Sequence, residues 1–298
     1  MTLDIIKRHL ARIATVACFI SLVFSANSAT AAECNRACMA DLITQYVDAL
    51  AAHDPSALPL ADEVKYTVNG QAATLGEGIW KTVTDKQTFR QDYLDVSKQV
   101  AASHVAFWEG ENQILYTVLL HLENSSITGI ETLVQRTTPT DRIQPEVLDK
   151  PIIGMNDPIP EGQKMNRANM VRIALTYPKG LRIGNFTDGE TPFAPDCYRV
   201  ENGWIAAQRG ELYDQNIMVH PGILTSVAAV DEENGTVLLW MNFGHTGNSY
   251  GVGNALVTYE AFKVWGNQIH SINAFFTGLP INTARFWPSS DPVYSYSM

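Results

Sequence analysis

Apolar positions first settle into a helical rhythm near residue 40. Leu42, Ile43, Tyr46, Val47 and Leu50 fall on one face of a helix predicted over 40–52, which Asp54-Pro55 ends. Residues 65–68 then read as a strand closed by Asn69-Gly70, a turn pair. Ile79 and Trp80 open a short apolar step, and 85–93 reads as a polar helix. Segments 99–108, 113–121 and 129–135 are rich in β-branched, aromatic and other apolar residues between turn residues, and read as strands. Residues 137–164 break the pattern with Pro139, Pro145, Pro151, Pro158 and Pro160, and read as a linker draped over a surface. The order then repeats. A helix is predicted over 166–177, with Val171, Ile173, Ala174 and Tyr177 as its apolar face. Short strands flank Asn202-Gly203. Long ones follow at 223–230, 236–243, 255–265 and 268–276, with Asn234-Gly235 and Gly266-Asn267 as hairpin turns.

Two echoes suggest duplication. AAVDEENGTVLLWMNFGHTGNS (228–249) resembles VAFWEGENQILYTVLLHLENSS (105–126), and YRVENG (198–203) resembles YTVNG (66–70). Each half is a helix followed by long antiparallel strands, which curl around that helix. The expected fold is therefore α+β: two tandem cone-shaped sheets, each wrapped on an N-terminal helix, each interior a natural pocket. The expected division is a first unit over 32–136, the linker, a second unit over 165–283 and a tail over 284–298 that caps a pocket or an interface.

Residues 1–31 read as a cleaved signal peptide. Lys7, Arg8 and Arg12 precede an apolar run at 13–24, and Ala29-Thr30-Ala31 fits a small-residue cleavage site. The apolar run is short for a membrane span, so the mature form is expected without a membrane, in a periplasmic or secreted setting. At 46 % apolar and 17 % charged, the chain is an ordinary globular protein. Net charge is −10, and removing Lys7, Arg8, Arg12 and Asp4 brings it to −12. That argues against nucleic acid and for a neutral or small substrate. Cys34, Cys38 and Cys197 remain, and in an oxidising compartment Cys34 or Cys38 is expected to pair with Cys197. Two close cysteines and a remote one make a poor zinc site, and no metal is expected.

The helix, the short Asn-Gly turn and the curved sheet resemble the nuclear-transport-factor-2-like superfamily, which includes SnoaL-like cyclases, scytalone dehydratase and ketosteroid isomerase. YTVNG, LGEGIW (75–80), PDCYRVENG (195–203) and VDEENGTVLLWMNFGHTG (230–247) resemble secreted fungal and bacterial SnoaL-like proteins. The resemblance extends in setting to cofactor-free lyases that cleave lignin-derived diarylpropanes. It implies chemistry without a cofactor, and dimerisation through the sheets unless the tandem fusion supplies that pairing internally.

His245, at a strand end before Thr246-Gly247, is the first candidate acid or base, with Asn242, Arg199 and Tyr250 of the same half beside it as candidates. His121, which shares a strand face with Leu119, either points into the first cone or packs in a core; His104 has the same two readings. Tyr66 can donate to a developing oxyanion. Asn69 and Asn202 sit at the repeated turn, and Trp80 follows a Gly-rich segment suited to a pocket mouth. No P-loop, dinucleotide fingerprint, HExxH or GxSxG is present. The expectation is an exported, cofactor-independent lyase acting on a small aromatic substrate such as a diarylpropane. The alternatives are a non-catalytic binding module and a carbohydrate-active lyase.

Overall fold

A computed structural model describes residues 33–138, 148–150, 152–215, 217–245 and 247–293. The predicted signal peptide, Pro139, Pro145, Pro151, Thr246 and the last five residues lie outside them.

The first helix, α1 (Arg36–Ala51), starts at Asn35, whose side chain accepts the Cys38 N–H and so satisfies one free end of the helix. Strands β1 (Leu60–Val68) and β2 (Gln71–Ala72), a short α2 (Ile79–Thr82), then β3 (Asp85–Asp95), β4 (Val100–Glu109), β5 (Asn112–Glu123) and β6 (Ser126–Arg136) complete the first half. The second half has α3 (Arg167–Ala174), α4 (Thr176–Ile183), β7 (Phe193–Glu201), β8 (Trp204–Gln208), a short α5 (Glu211–Asp214), β9 (Leu224–Asp231), β10 (Thr236–Asn242), β11 (Asn254–Trp265) and β12 (Gln268–Pro280). The sheets have one topology, β2-β1-β6-β5-β4-β3 and β8-β7-β12-β11-β10-β9. The tandem α+β fold of curved sheets is therefore present. One feature differs from expectation: β1 runs parallel to β6, and β7 to β12, so each sheet is mixed. A parallel pair needs a long crossover, and the three intervening long strands of each half supply it.

Alternation along the strands splits the interior into three layers. The inner face of the first sheet packs Val105, Phe107, Tyr116, Val118 and Leu120 on Ile43, Tyr46 and Leu50 of α1. The inner face of the second packs Val237, Leu239, Met241 and Phe262 on Val171, Ala174 and Tyr177. The outer faces meet back to back through Leu115, Leu119, Ala228, Leu238, Trp240 and Phe275. Each fully buried Leu or Phe here contributes roughly 1.5–3 kcal/mol, which is why the odd and even positions of one strand are pinned to different layers.

Three expectations are corrected. Residues 85–93 form β3, not a helix. Gln, Lys and Arg suit helices, but Phe89, Gln91 and Tyr93 alternate into the layer between the sheets, and burial overrides local preference. The described part of 137–164 is draped only in part: Leu148, Ile152 and Met155 are buried in the layer between the sheets, whereas 156–158 and 160–164 are exposed. Finally, the disulfide joins Cys34 to Cys38, with Cα atoms 5.4 Å apart, and Cys197 is free. One turn of α1 brings the first two into bonding range. Cys197 points into the core of the second sheet, where burial pushes its thiol up to about 12.

The repeated Asn-Gly turn aligns the halves. Asn69 and Asn202 both adopt left-handed backbone, with φ of 53° and 46°. Asn69 accepts the Val134 N–H at 2.7 Å and donates to the Val134 carbonyl at 3.3 Å. Asn202 does the same with Phe276 at 2.9 and 3.0 Å. Val134 and Phe276 are thus equivalent, and the pairing registers make Tyr66 the counterpart of Arg199, Val68 of Glu201, and Val118 of Glu260. The longer sequence echo is one strand out of step. It matches β4–β5 with β9–β10, whereas β4–β5 corresponds to β10–β11. His121 and His245 are therefore not counterparts.

Candidate functional site

The two inner faces differ in content. The first is filled at its centre, with a smaller recess of about 240 Å³ at its edge, between Val68, Ile79 and Val134. Tyr46 and Tyr116 share a hydroxyl–hydroxyl bond of 2.6 Å, and Trp80 packs edge-on to Tyr46 with ring centres 5.5 Å apart. Tyr66 and Trp80 are buried in this cluster, and neither the Tyr66 hydroxyl nor the Trp80 N–H has a hydrogen-bond partner.

The second inner face keeps a cavity of about 370 Å³. Its floor is Tyr177 and Leu181 of α4, and its walls include Arg199, Thr258, Glu260, Phe276 and, from the loop after α5, His220. Pairing registers explain the space. Glu201 on β7 lies opposite Ala274 on β12, which lies opposite Glu260 on β11. Residues directly opposite share a face, so two carboxyl groups flank one methyl group. In the first sheet the same row is Val68, Thr132 and Val118.

Arg199, 7 % exposed, donates to the Tyr177 hydroxyl at 3.0 Å and to Gln215 Oε1 at 2.6 Å. Its Nε stands 3.2 Å from Glu201 Oε1, an ion pair not aligned as a hydrogen bond. Arg199 stays charged: burial works against its charge, but the Tyr177 hydroxyl and the Glu201 carboxylate beside it raise its pKa above the usual arginine value. Glu260 is only 2 % exposed, and its Oε1 has no partner. Burial first, then the Glu201 charge, push its carboxyl up to about 8 against the opposing pull of Arg199 and Tyr177. At neutral pH it is a protonated acid. Burial, with the Glu201 charge, holds the Tyr177 hydroxyl protonated too, although Arg199 opposes them. His220 is kept neutral by burial, with an unpartnered Nδ1. The site therefore joins a neutral acid, a paired carboxylate, a fixed cation and a neutral imidazole in a cavity that opens past Met218 and Ser249.

Of the sequence candidates, Arg199 and Tyr250 line this cavity, and Asn202 lines an adjoining recess. The amide of Asn202, like that of Asn69, is spent on its turn. His245 is exposed, with Nδ1 accepting the Gly247 N–H at 3.3 Å, and is not a lining residue. Asn242 is buried and tied to the Ile281 and Thr283 carbonyls. The face of Leu119 and His121 turns to the other sheet, not into the cone. His121 lies on Trp287, ring centres 4.5 Å apart, with Nε2 3.4 Å from Glu131. His104 is wholly buried between the sheets, against Tyr93, Asn273 and Phe275, and burial lowers it to about 3.

Glu260, Glu201, Tyr177 and His220 were not among the candidates. Glu260 was readable: it is the one acid in NALVTYEAFKVW, in phase with Leu256, Thr258 and Phe262. A lone carboxyl at an inward position of an apolar strand is costly unless used or paired. Among the described residues, no group of three or more His, Cys, Asp or Glu is arranged to hold a metal ion.

A family model for a domain of unknown function, DUF8021, matches residues 163–276, which include Tyr177, Arg199, Glu201, His220 and Glu260. No curated protein matches the chain. Among solved structures, a protein of unknown function with cystatin-like fold from Methylobium petroleophilum PM1 is similar at 16 % identity and TM-score 0.30, over 37 % of this chain and 83 % of that one. A provisionally assigned ketosteroid isomerase from Kribbella flavida DSM 17836 is similar at 12 % identity and TM-score 0.28, over 40 % and 93 %. A de novo designed protein with a curved β-sheet is similar at 17 % identity and TM-score 0.29, over 34 % and 88 %.

Proposed function

We propose that this chain is a cofactor-independent acid–base enzyme that forms a double bond by elimination, or shifts one, in a small, largely apolar aromatic compound. One observation carries the reading: Glu260, 2 % exposed and with no partner on Oε1, shares a cavity and a sheet row with Glu201, and burial favours its neutral form. Environments that separate two acids in this way assign one as donor and the other as acceptor. Glu201 takes a proton from carbon beside a polarised oxygen. Glu260 gives its proton to that oxygen or to a departing hydroxyl, which leaves as water. The electron pair of the broken C–H bond becomes the new double bond. Arg199 and the Tyr177 hydroxyl stabilise negative charge as it develops on oxygen. The proton left on Glu201 returns to Glu260 through cavity water or through the product. An exported location is part of the proposal, and a disulfide at Cys34–Cys38, just beyond the expected cleavage point, supports it.

The test uses a single-ring carbon acid, phenylacetone, in D2O with EDTA. Wild type is expected to speed deuterium exchange beside the carbonyl, Glu201→Gln to abolish the effect, and Glu260→Gln to reduce it by about 10²–10⁴-fold. Exchange at the buffer rate in wild type refutes catalysis. Binding without exchange would leave a binding module.

A further inference from the structure

Two glutamates and a single arginine line the cavity of about 370 Å³ on the second inner face. The arginine is already engaged. Arg199 holds Glu201 at 3.2 Å and donates to the Tyr177 hydroxyl and to Gln215. No lysine or further arginine stands among the described residues of the lining. Glu260, 2 % exposed, keeps an Oε1 with no hydrogen-bond partner. Were both acids ionised, the side chains of the cavity would be one positive charge short.

The sheet row shapes a place for that charge. Glu201 and Glu260 lie on the strands either side of β12, with Ala274 between them on the same face. Neighbouring strands stand about 4.8 Å apart, so the two Cα atoms are roughly 10 Å apart. Both side chains line the cavity, and Ala274 puts only a methyl group beneath the gap between them. A group held from both sides over that methyl has to be small, positive and rich in N–H donors, as an ammonium group is. Around it the wall turns apolar, with Leu181, Ile217, Met218 and Leu256, and the rings of Tyr177 and Phe276 offer cation-binding faces. An anion would instead meet the Glu201 carboxylate and an arginine already paired.

We infer that this cavity binds a small organic cation, an alkylammonium group on an apolar body, with its charge held between Glu201 and Glu260. The charged and titratable groups around Glu260 are Glu201 and Arg199 from β7, Tyr177 from α4, His220 from the loop before β9 and Tyr250 from the loop after β10. Of these only Arg199 is positive, because burial keeps His220 neutral. Glu260 holds its proton up to about pH 8, so a cation that binds below that value expels the proton to solvent. One consequence rests on the acid–base reading: a cation that ionises Glu260 removes the proton this acid would donate, and so inhibits the reaction.

The probe is cyclohexylammonium, with cyclohexanol as its neutral counterpart. Both are titrated calorimetrically into the whole protein, in buffers of different ionisation enthalpy so that released protons are counted. The amine stays protonated below about pH 10. At pH 7 the cation is expected to bind at least about ten-fold more tightly than the alcohol, the size of a charge-assisted hydrogen bond. It is expected to release about one proton, and to gain roughly 50-fold in affinity from pH 6 to pH 8, the range over which Glu260 gives up its proton. Glu260→Gln is expected to lose the proton release, the pH dependence and most of the preference for the cation, with cyclohexanol binding unchanged; a melting curve matching wild type at pH 5 shows that the variant is folded. Equal binding of the two probes, cation binding without proton release, or a Gln variant that keeps the preference overturns the inference. Wild type that binds the cation but exchanges no deuterium in phenylacetone fails the acid–base reading and leaves this one standing. Deuterium exchange without cation binding does the reverse.

Discussion

Glu260→Gln keeps the shape of the side chain and removes its ionisation, so comparison with wild type isolates one titration. The folded protein holds this carboxyl near 8, against 4.5 for an exposed glutamate. Between those values the folded state keeps a proton that the unfolded state has lost. Stability therefore falls as pH rises through this window, and the contribution is complete only below the lower value. A difference of 3.5 pK units corresponds to at most ~5 kcal/mol. At roughly 2–4 °C per kcal/mol for a chain of this size, Tm of wild type should drop by about 10–20 °C relative to the Gln variant between pH 5 and pH 9. Thermal melts followed by circular dichroism at half-unit pH steps give both curves. The curves should nearly meet at pH 4.5–5, separate up to about pH 8 and run parallel above it. Parallel curves from pH 5 to 9 would show that Glu260 ionises freely, and the assignment of a neutral acid would collapse with them.

Three further outcomes follow from the packing. Ala274→Leu should fill the space between Glu201 and Glu260, abolishing deuterium exchange in phenylacetone while leaving the circular dichroism spectrum unchanged; retained exchange would place the chemistry elsewhere. Arg285→Met strips the guanidinium from Glu131, which is 4 % exposed and keeps only the Tyr259 hydroxyl and the neutral His121 ring beside it. Leaving that charge buried should cost about 3–5 kcal/mol in urea unfolding at pH 7, and a loss below about 1 kcal/mol would mean water reaches it. Cys38→Ser opens a very short loop and should cost about 2 kcal/mol by the loop-entropy relation, measured as a reduction-insensitive melting curve below that of the oxidised wild type.

The architecture was legible because its signals are periodic. β10, β11 and β12 lie within a few residues of their predicted ends, since apolar runs between Asn-Gly turns admit few other readings. The site was less legible because burial, not residue type, confers its chemistry. Histidines drew attention as titratable groups, yet His104 and His121 face the partner sheet, a fact fixed by which face of the strand meets the helix. The reading of β3 failed for the same reason, because its polar residues serve an inter-sheet layer with no local sequence signature. Arg199 was found through the duplicated turn. Glu260 was passed over because its counterpart is Val118, and a search for repeated residues selects what the halves share rather than where they differ.

That difference makes the molecule its own control. The Asn69 and Asn202 clamps fix the two frames in one register, so positions 66 and 118 are a blank copy of 199 and 260. Whatever an engineer writes into the blank can be compared with the original under identical solvent, temperature and chain history. A double substitution there would ask how much of an active site is its residues and how much is the room left around them.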